Sequence, residues 1–251
     1  MTNSDLLGDV REHRTRGIFQ NSTVGALLAG LDDGDLTIGA LLEHGDFGLG
    51  TFDALDGEMV ILDGVCYHLH ADGTASVAGV DETTPFAAVT DFTPDLTLTP
   101  AGRLDRAGLI DLVEKHVPGD NYFYAIRVDA RLSAVTTRTV SRQEKPYPGL
   151  LEASRGEAVR TLTDLRGTIV GFRSPDYAGT VTVPGYHLHF IDDSRTRGGH
   201  LLDFQLNDGG QIRISSVRDF RLRLPGSDGF ATGALSGKQA ASQIASAEGE
   251  N

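Results

Sequence analysis

Apolar positions along this chain recur mostly with a period of two, in short runs broken by Asp-Gly, Pro-Asp and Pro-Gly pairs, which predicts β-strands joined by tight turns. Strands are expected over residues 58–62 and 65–70, joined at Asp63-Gly64, and over 74–77 after the Asp72-Gly73 turn. Further runs fall at 86–92, 122–128 and 134–140, then at 167–172, 186–191, 201–206, 211–217 and 220–224. Residues 44–52 place glycines among apolar positions, as a bent or closely approached backbone does. Helical spacing is confined to a few places. Val24, Leu27, Leu28 and Leu31 mark a short helix capped by Ser22 or Thr23, and another is expected over 37–43. Leu104, Ala107, Leu109, Leu112 and Val113 mark a helix stopped by Pro118-Gly119, and a last short one lies near 150–159. Residues 144–149, with two prolines, read as a structured loop. Residues 1–18 read as a mobile lead and 229–251 by composition as a disordered tail, weakly helical at 239–247. About seven strands precede Pro146 and about five follow Arg166. The expected class is α/β with α+β character: two domains, 19–155 and 156–251, on mixed, largely antiparallel sheets with few helices.

The run Gly185-Tyr186-His187-Leu188-His189-Phe190 carries the strongest chemical signal. On a strand, His187 and His189 share one face while Leu188 and Phe190 take the other. The charged segment 192–199 reads as a hairpin loop, and the return strand brings His200 beside them. Three converging imidazoles form a ligand set for zinc or a similar divalent ion, with a fourth position for water or substrate. The plainer alternative, solvated or core histidines, remains open on spacing alone. His68 and His70 share a strand face too, but no third ligand follows on the next strand, so they read as solvent-facing or structural. His13 and His116 have no local partners, and His44 opens a glycine-rich loop.

A formal charge of -13 argues against nucleic acid or an anionic membrane as partner, so an anionic substrate must meet a local arginine. One cysteine, Cys66, rules out an intramolecular disulfide and suits a reducing compartment. With no apolar leader and no long apolar run, a cytoplasmic location is expected. Three lysines, Lys115, Lys145 and Lys238, offer few candidates for Schiff-base chemistry.

Residues 44–52 with 55–58, Phe92-Thr93-Pro94-Asp95, Phe123-Tyr124-Ala125-Ile126-Arg127, Thr137-Arg138-Thr139, Glu144-Lys145-Pro146-Tyr147, residues 166–172, and 185–192 with Gly198-Gly199-His200 resemble, in order, the motifs of the α-acetolactate decarboxylase family. The resemblance spans about residues 19–225. It implies a zinc enzyme that converts a small anionic 2-hydroxy-3-keto acid, 2-acetolactate, to acetoin and carbon dioxide, in a two-domain protein that is commonly a homodimer. Carried over by position, His187, His189 and His200 match the zinc ligands, Glu58 the active-site glutamate and Arg138 the active-site arginine. Glu248, with Glu250 as a competing choice, resembles a tail glutamate that folds back over the metal, and Thr51 is expected in the pocket. Zinc then absorbs the electron density that becomes an enediolate, Arg138 holds the carboxylate, and Glu58 or Glu248 protonates carbon. Two other readings stay open: a cupin-like metal dioxygenase or isomerase, and a non-catalytic module binding a metal or small ligand.

Overall fold

The computed structural model describes residues 17–207, 209–233 and 235; the expectations for His13, Glu248, Glu250 and the helical stretch 239–247 lie outside the described residues. The strands in chain order are β1 (Gly17–Asn21), β2 (Leu36–Thr37), β3 (Phe47–Thr51), β4 (Glu58–Leu62), β5 (Val65–Leu69), β6 (Ala75–Val77), β7 (Thr83–Thr84) and β8 (Phe86–Thr90). They continue with β9 (Leu96–Leu98), β10 (Leu104–Asp105), β11 (Phe123–Thr139), β12 (Ala158–Ser174), β13 (Gly185–Asp192), β14 (Gly198–Leu206), β15 (Gln211–Val217) and β16 (Asp219–Arg223). The helices are short: α1 (Val24–Leu28), α2 (Ile38–Leu42), α3 (Arg106–Glu114), α4 (Leu150–Ala153) and α5 (Asp228–Thr232). No helix among the described residues is long and apolar enough to cross a membrane.

One seven-stranded sheet runs β16-β1-β8-β3-β4-β5-β6 and the other β10-β14-β13-β12-β11-β15-β9. Apart from the parallel β1–β16 pair, the strands of both sheets run antiparallel, the mixed class expected from the turn-punctuated sequence. A further β11–β14 pairing closes the ring β11-β12-β13-β14 on itself. The sheets do not divide at residue 155. β9, β10 and β11 lie before that point and join the second sheet, while β16 lies after it and joins the first.

Alternation along the strands explains the layering. Phe47, Leu49, Val60, Leu62 and Leu69 of the first sheet meet Val170, Phe172, Ile191 and Val217 of the second in one apolar layer. The opposite face of the first sheet, with Met59 and Ile61, is covered by Ile38 and Leu41 of α2. On the far face of the second sheet, Leu188 and Phe190 pack with Leu109 and Val113 of α3. Glycines admit the closest approach within the first sheet: a Cβ on Gly48 would lie 2.2 Å from the Ala88 carbonyl, and one on Gly50 2.4 Å from that of Phe86.

Several boundaries differ from the periodicity. The runs at 122–128 and 134–140 are one strand of 17 residues, carried past the polar interruption by continuous pairing with β12 and accommodated by a register shift against β14 between Leu132 and Ala134. Residues 17 and 18 are no lead but part of β1, held between β8 and β16. The helix expected from Leu104 begins after Asp105, whose carboxylate caps it by accepting from the Gly108 N–H at 2.8 Å. That expected at 150–159 ends by Gly156, because β12 starts at Ala158.

The loop between α1 and β2 holds Asp32, fully buried, with neither carboxyl oxygen hydrogen-bonded among the described residues. Burial, then the charges of Asp33 and Asp53, push its pKa from 3.8 up to about 7. Between about pH 4 and 7 the folded chain therefore keeps a proton that the unfolded chain releases, so stability falls as pH rises through that window and is level above it. Asp32→Asn is expected to flatten this slope, gaining about 2–4 kcal/mol on the parent between pH 5 and 8 in urea unfolding. Parallel pH profiles for the two proteins would assign the slope to other groups.

Candidate metal centre and active site

Register places the principal residues in one row. Across the second sheet Val170 of β12 pairs with His189 of β13, His189 with His200 of β14, and His200 with Arg138 of β11. Directly opposite residues share a face, so His189, His200 and Arg138 project together, and His187 joins them from two residues along β13. His200 lies inside β14, which starts at Gly198, so the hairpin loop is shorter than the charged segment suggests. One ring nitrogen from each of His187, His189 and His200 lies within 4.8 Å of the others, the one such group of histidine, cysteine or acidic side chains among the described residues. Ring centroids are 5.0 to 5.3 Å apart.

The protonation of this cluster suits a cation. His189 is fully buried, and its Nδ1 lies 2.8 Å from the Met59 carbonyl oxygen, a contact that requires Nδ1 to carry the hydrogen and donate it. Its Nε2 is then a buried lone pair with no hydrogen-bond partner among the described residues. That atom is 3.6 Å from a Glu58 carboxyl oxygen, so two atoms of the kind that ligate metals converge from the two sheets. Burial, with the charge of Arg138 second, drops His187 to about 3. Burial first and His187 second hold His189 well below the ordinary 6.5. Neutral imidazoles are what metal ligation needs. The donor set fits zinc: three nitrogens suit its tetrahedral preference and leave a position open.

Glu58 reaches the cluster from the first sheet. It shares the face of Val60 and Leu62, which looks toward the second sheet. The preceding turn is tightly held. Gly57 takes φ 79°, and a Cβ there would lie 2.3 Å from the Leu69 carbonyl. Ala54 and Leu55 also take positive φ, which costs about 1 kcal/mol or more each and marks a segment fixed by its surroundings. Thr51, opposite Glu58 in the β3–β4 register, donates its hydroxyl to the Gly57 carbonyl at 2.7 Å. From the other side His68 Nε2 contacts the Asp56 carbonyl, with its ring stacked on Phe52 at 3.9 Å. His68 is thus buried and structural, and neither it nor His70, whose Nε2 lies 2.9 Å from Ser76 Oγ, belongs to the metal cluster. His116 is exposed, and His44 stacks on Phe19.

Most of these groups line one pocket. Thr51, Glu58, Arg138, His187 and His200 form its polar part, and Val24, Leu27, Leu55, Phe86, Val140, Leu150 and Val183 its apolar wall. A pocket of this kind suits a small molecule with a charged end and short alkyl groups. Glu157, which periodicity did not single out, also lines it, its Oε2 accepting from Arg138 Nη1 at 3.1 Å. Its only sequence signal is its position just before the alternating residues of β12.

Comparison with known proteins identifies relatives of nearly the whole chain. A family model described as Alpha-acetolactate decarboxylase matches residues 18–237. An alpha-acetolactate decarboxylase of Methylococcus capsulatus is 44% identical over 227 residues, covering 90% of this chain and 87% of the relative. That of Bacillus subtilis is 41% identical over 232 residues, covering 92% and 91%. The crystal structure of the Bacillus subtilis protein superposes with a TM-score of 0.90 over 93% of this chain and 99% of the other.

Proposed function

The chain belongs to the alpha-acetolactate decarboxylase family and is a carbon–carbon lyase of the carboxy-lyase class, and from that premise we propose that it converts 2-acetolactate to acetoin and carbon dioxide with zinc held by His187, His189 and His200. The observation that carries this reading is the clustering of His187, His189 and His200 at a pocket that His187 and His200 line together with Glu58 and Arg138. When bound, zinc supplies a Lewis acid for the negative charge that develops as the carboxyl group departs.

The chain's own residues do the rest. Arg138 binds the substrate carboxylate, which overall attraction to a chain of charge -13 does not provide. Val24, Leu27 and Val183 receive the methyl groups and keep water from the reacting carbons. Glu58, fixed by the Thr51 and His68 contacts on its turn, delivers the proton to carbon once carbon dioxide has left. The Met59 carbonyl fixes the His189 tautomer so that Nε2 presents its lone pair. Glu248, outside the described residues, is proposed on the family resemblance as a further carboxylate over the metal.

Chelation tests this. Dialysis against a strong chelator is expected to abolish acetoin formation, and one equivalent of zinc to restore it, with elemental analysis on the same sample. Undiminished activity in metal-free protein would remove the metal from the proposal. Stoichiometric metal without acetoin formation would leave a binding module in place of an enzyme.

A further inference from the structure

The Arg138–Glu157 pair is the part of the cavity that neither the motifs nor the family comparison accounts for. The two side chains are 11% and 7% exposed. Arg138 lies opposite Val159 in the β11–β12 register, and Glu157, two residues before Val159 and just ahead of β12, meets it from that side. On its other side Arg138 lies opposite His200. Arg138 thus stands between Glu157, whose carboxylate its guanidinium meets just ahead of β12, and His200, its neighbour across the sheet. A buried ion pair is a weak source of stability, because desolvating both charges offsets most of their attraction. Its place in the cavity wall gives it a different use.

We propose that Glu157 is the positioning residue for Arg138, anchoring the guanidinium in the wall of the pocket and tempering its charge so that a carboxylate is held there without being overbound. This rests on the reading of Arg138 as the carboxylate-binding group. The physical reason lies in the reaction. The carboxylate is charged in the bound substrate and leaves as neutral carbon dioxide, so attraction to it is stronger in the ground state than in the transition state. An arginine with undiminished charge would stabilise the wrong state and slow the step. A carboxylate accepting from Nη1 offsets part of that charge and fixes the plane of the group at once.

Glu157→Gln keeps an acceptor of nearly the same shape and removes the charge. It is expected to lower KM about three- to ten-fold and kcat about ten-fold or more, a split that loss of fold does not produce. Glu157→Ala, which removes the anchor as well, is expected to have a lower kcat than the Gln variant. Calorimetry with two inert ligands separates charge from packing: hydroxyisobutyrate, and the diol in which CH2OH replaces its carboxylate. The Gln variant is expected to bind the carboxylate several-fold more tightly than the parent and the diol equally well. Equal shifts for both ligands, or unchanged kcat and KM, would overturn the assignment. If the Gln variant does not accumulate, Glu157→Asp, which keeps the charge but withdraws it by one methylene, is expected to show the same carboxylate-selective change, and an unselective one counts against it. The binding contrast needs no turnover: a parent without acetoin formation but with the carboxylate-selective shift would sink the decarboxylase reading and leave the pairing intact.

Discussion

His189→Ala is expected to empty the metal centre and to lower acetoin formation by about three orders of magnitude or more, the scale on which removing a catalytic Lewis acid acts. His189 is singled out among the three proposed ligands because it is held from both ends. Its Nδ1 is committed to the Met59 carbonyl, and its Nε2 lone pair faces Glu58 Oε2 at 3.6 Å. Loss of the ring removes a ligand and also the link between the row of the second sheet and the strand that carries Glu58. Zinc content by elemental analysis should fall well below one per chain while far-ultraviolet circular dichroism stays that of the parent. His189→Gln, which retains side-chain length and a polar end, guards against attributing a simple packing defect to the metal. His68→Ala is the matched control: its ring also supports the Glu58 turn, through the Asp56 carbonyl, but lies outside the cluster, so metal content should remain that of the parent. Equal zinc loss in the His68 and His189 variants would show that the cluster is not the binding site.

What the sequence disclosed follows from how local each feature is. Alternation over residues 186–191 put His187 and His189 on one face and Leu188 and Phe190 on the other, and the structure has Leu188 and Phe190 under α3 and the histidines on the inner face. The turns at Gly64 and Gly73 were visible because a left-handed residue favours glycine. Long-range pairing was not. β11 passes through Arg131 and Ser133 without the period breaking the strand, because its partner β12 runs beside it throughout, and no local pattern reports a partner. The same blindness hid β1, whose place in the sheet depends on β16 some two hundred residues away. It also hid the Arg138–Glu157 pair, which exists only through the β11–β12 register. Arg138 itself came from family resemblance, since an arginine in a threonine-rich strand carries no signal of its own.

Glu58→Gln is expected to lower kcat by about two to four orders of magnitude while zinc stays bound, the range over which general acid–base groups act. The amide keeps the shape of the side chain and leaves the Thr51 and His68 contacts on the preceding turn intact, since both go to backbone carbonyls. What it loses is a transferable proton. Glu58 also lies near His189 Nε2, so a fall in rate could arise from a weakened metal centre instead, and the two causes leave different products. If Glu58 is the proton donor, the slow residual reaction must take its proton from solvent, which reaches the carbon with less facial preference than a fixed carboxyl group. The acetoin from the variant should then lose optical purity relative to that from the parent, read by chiral gas chromatography. If Glu58 serves only the metal, residual acetoin keeps its handedness and zinc affinity falls in proportion to rate. Arg138→Gln provides the contrast from the other end of the row: it should raise KM for the anionic substrate and leave the handedness of the product unchanged, because its partner in the reaction is the departing carboxylate and not the carbon that is protonated.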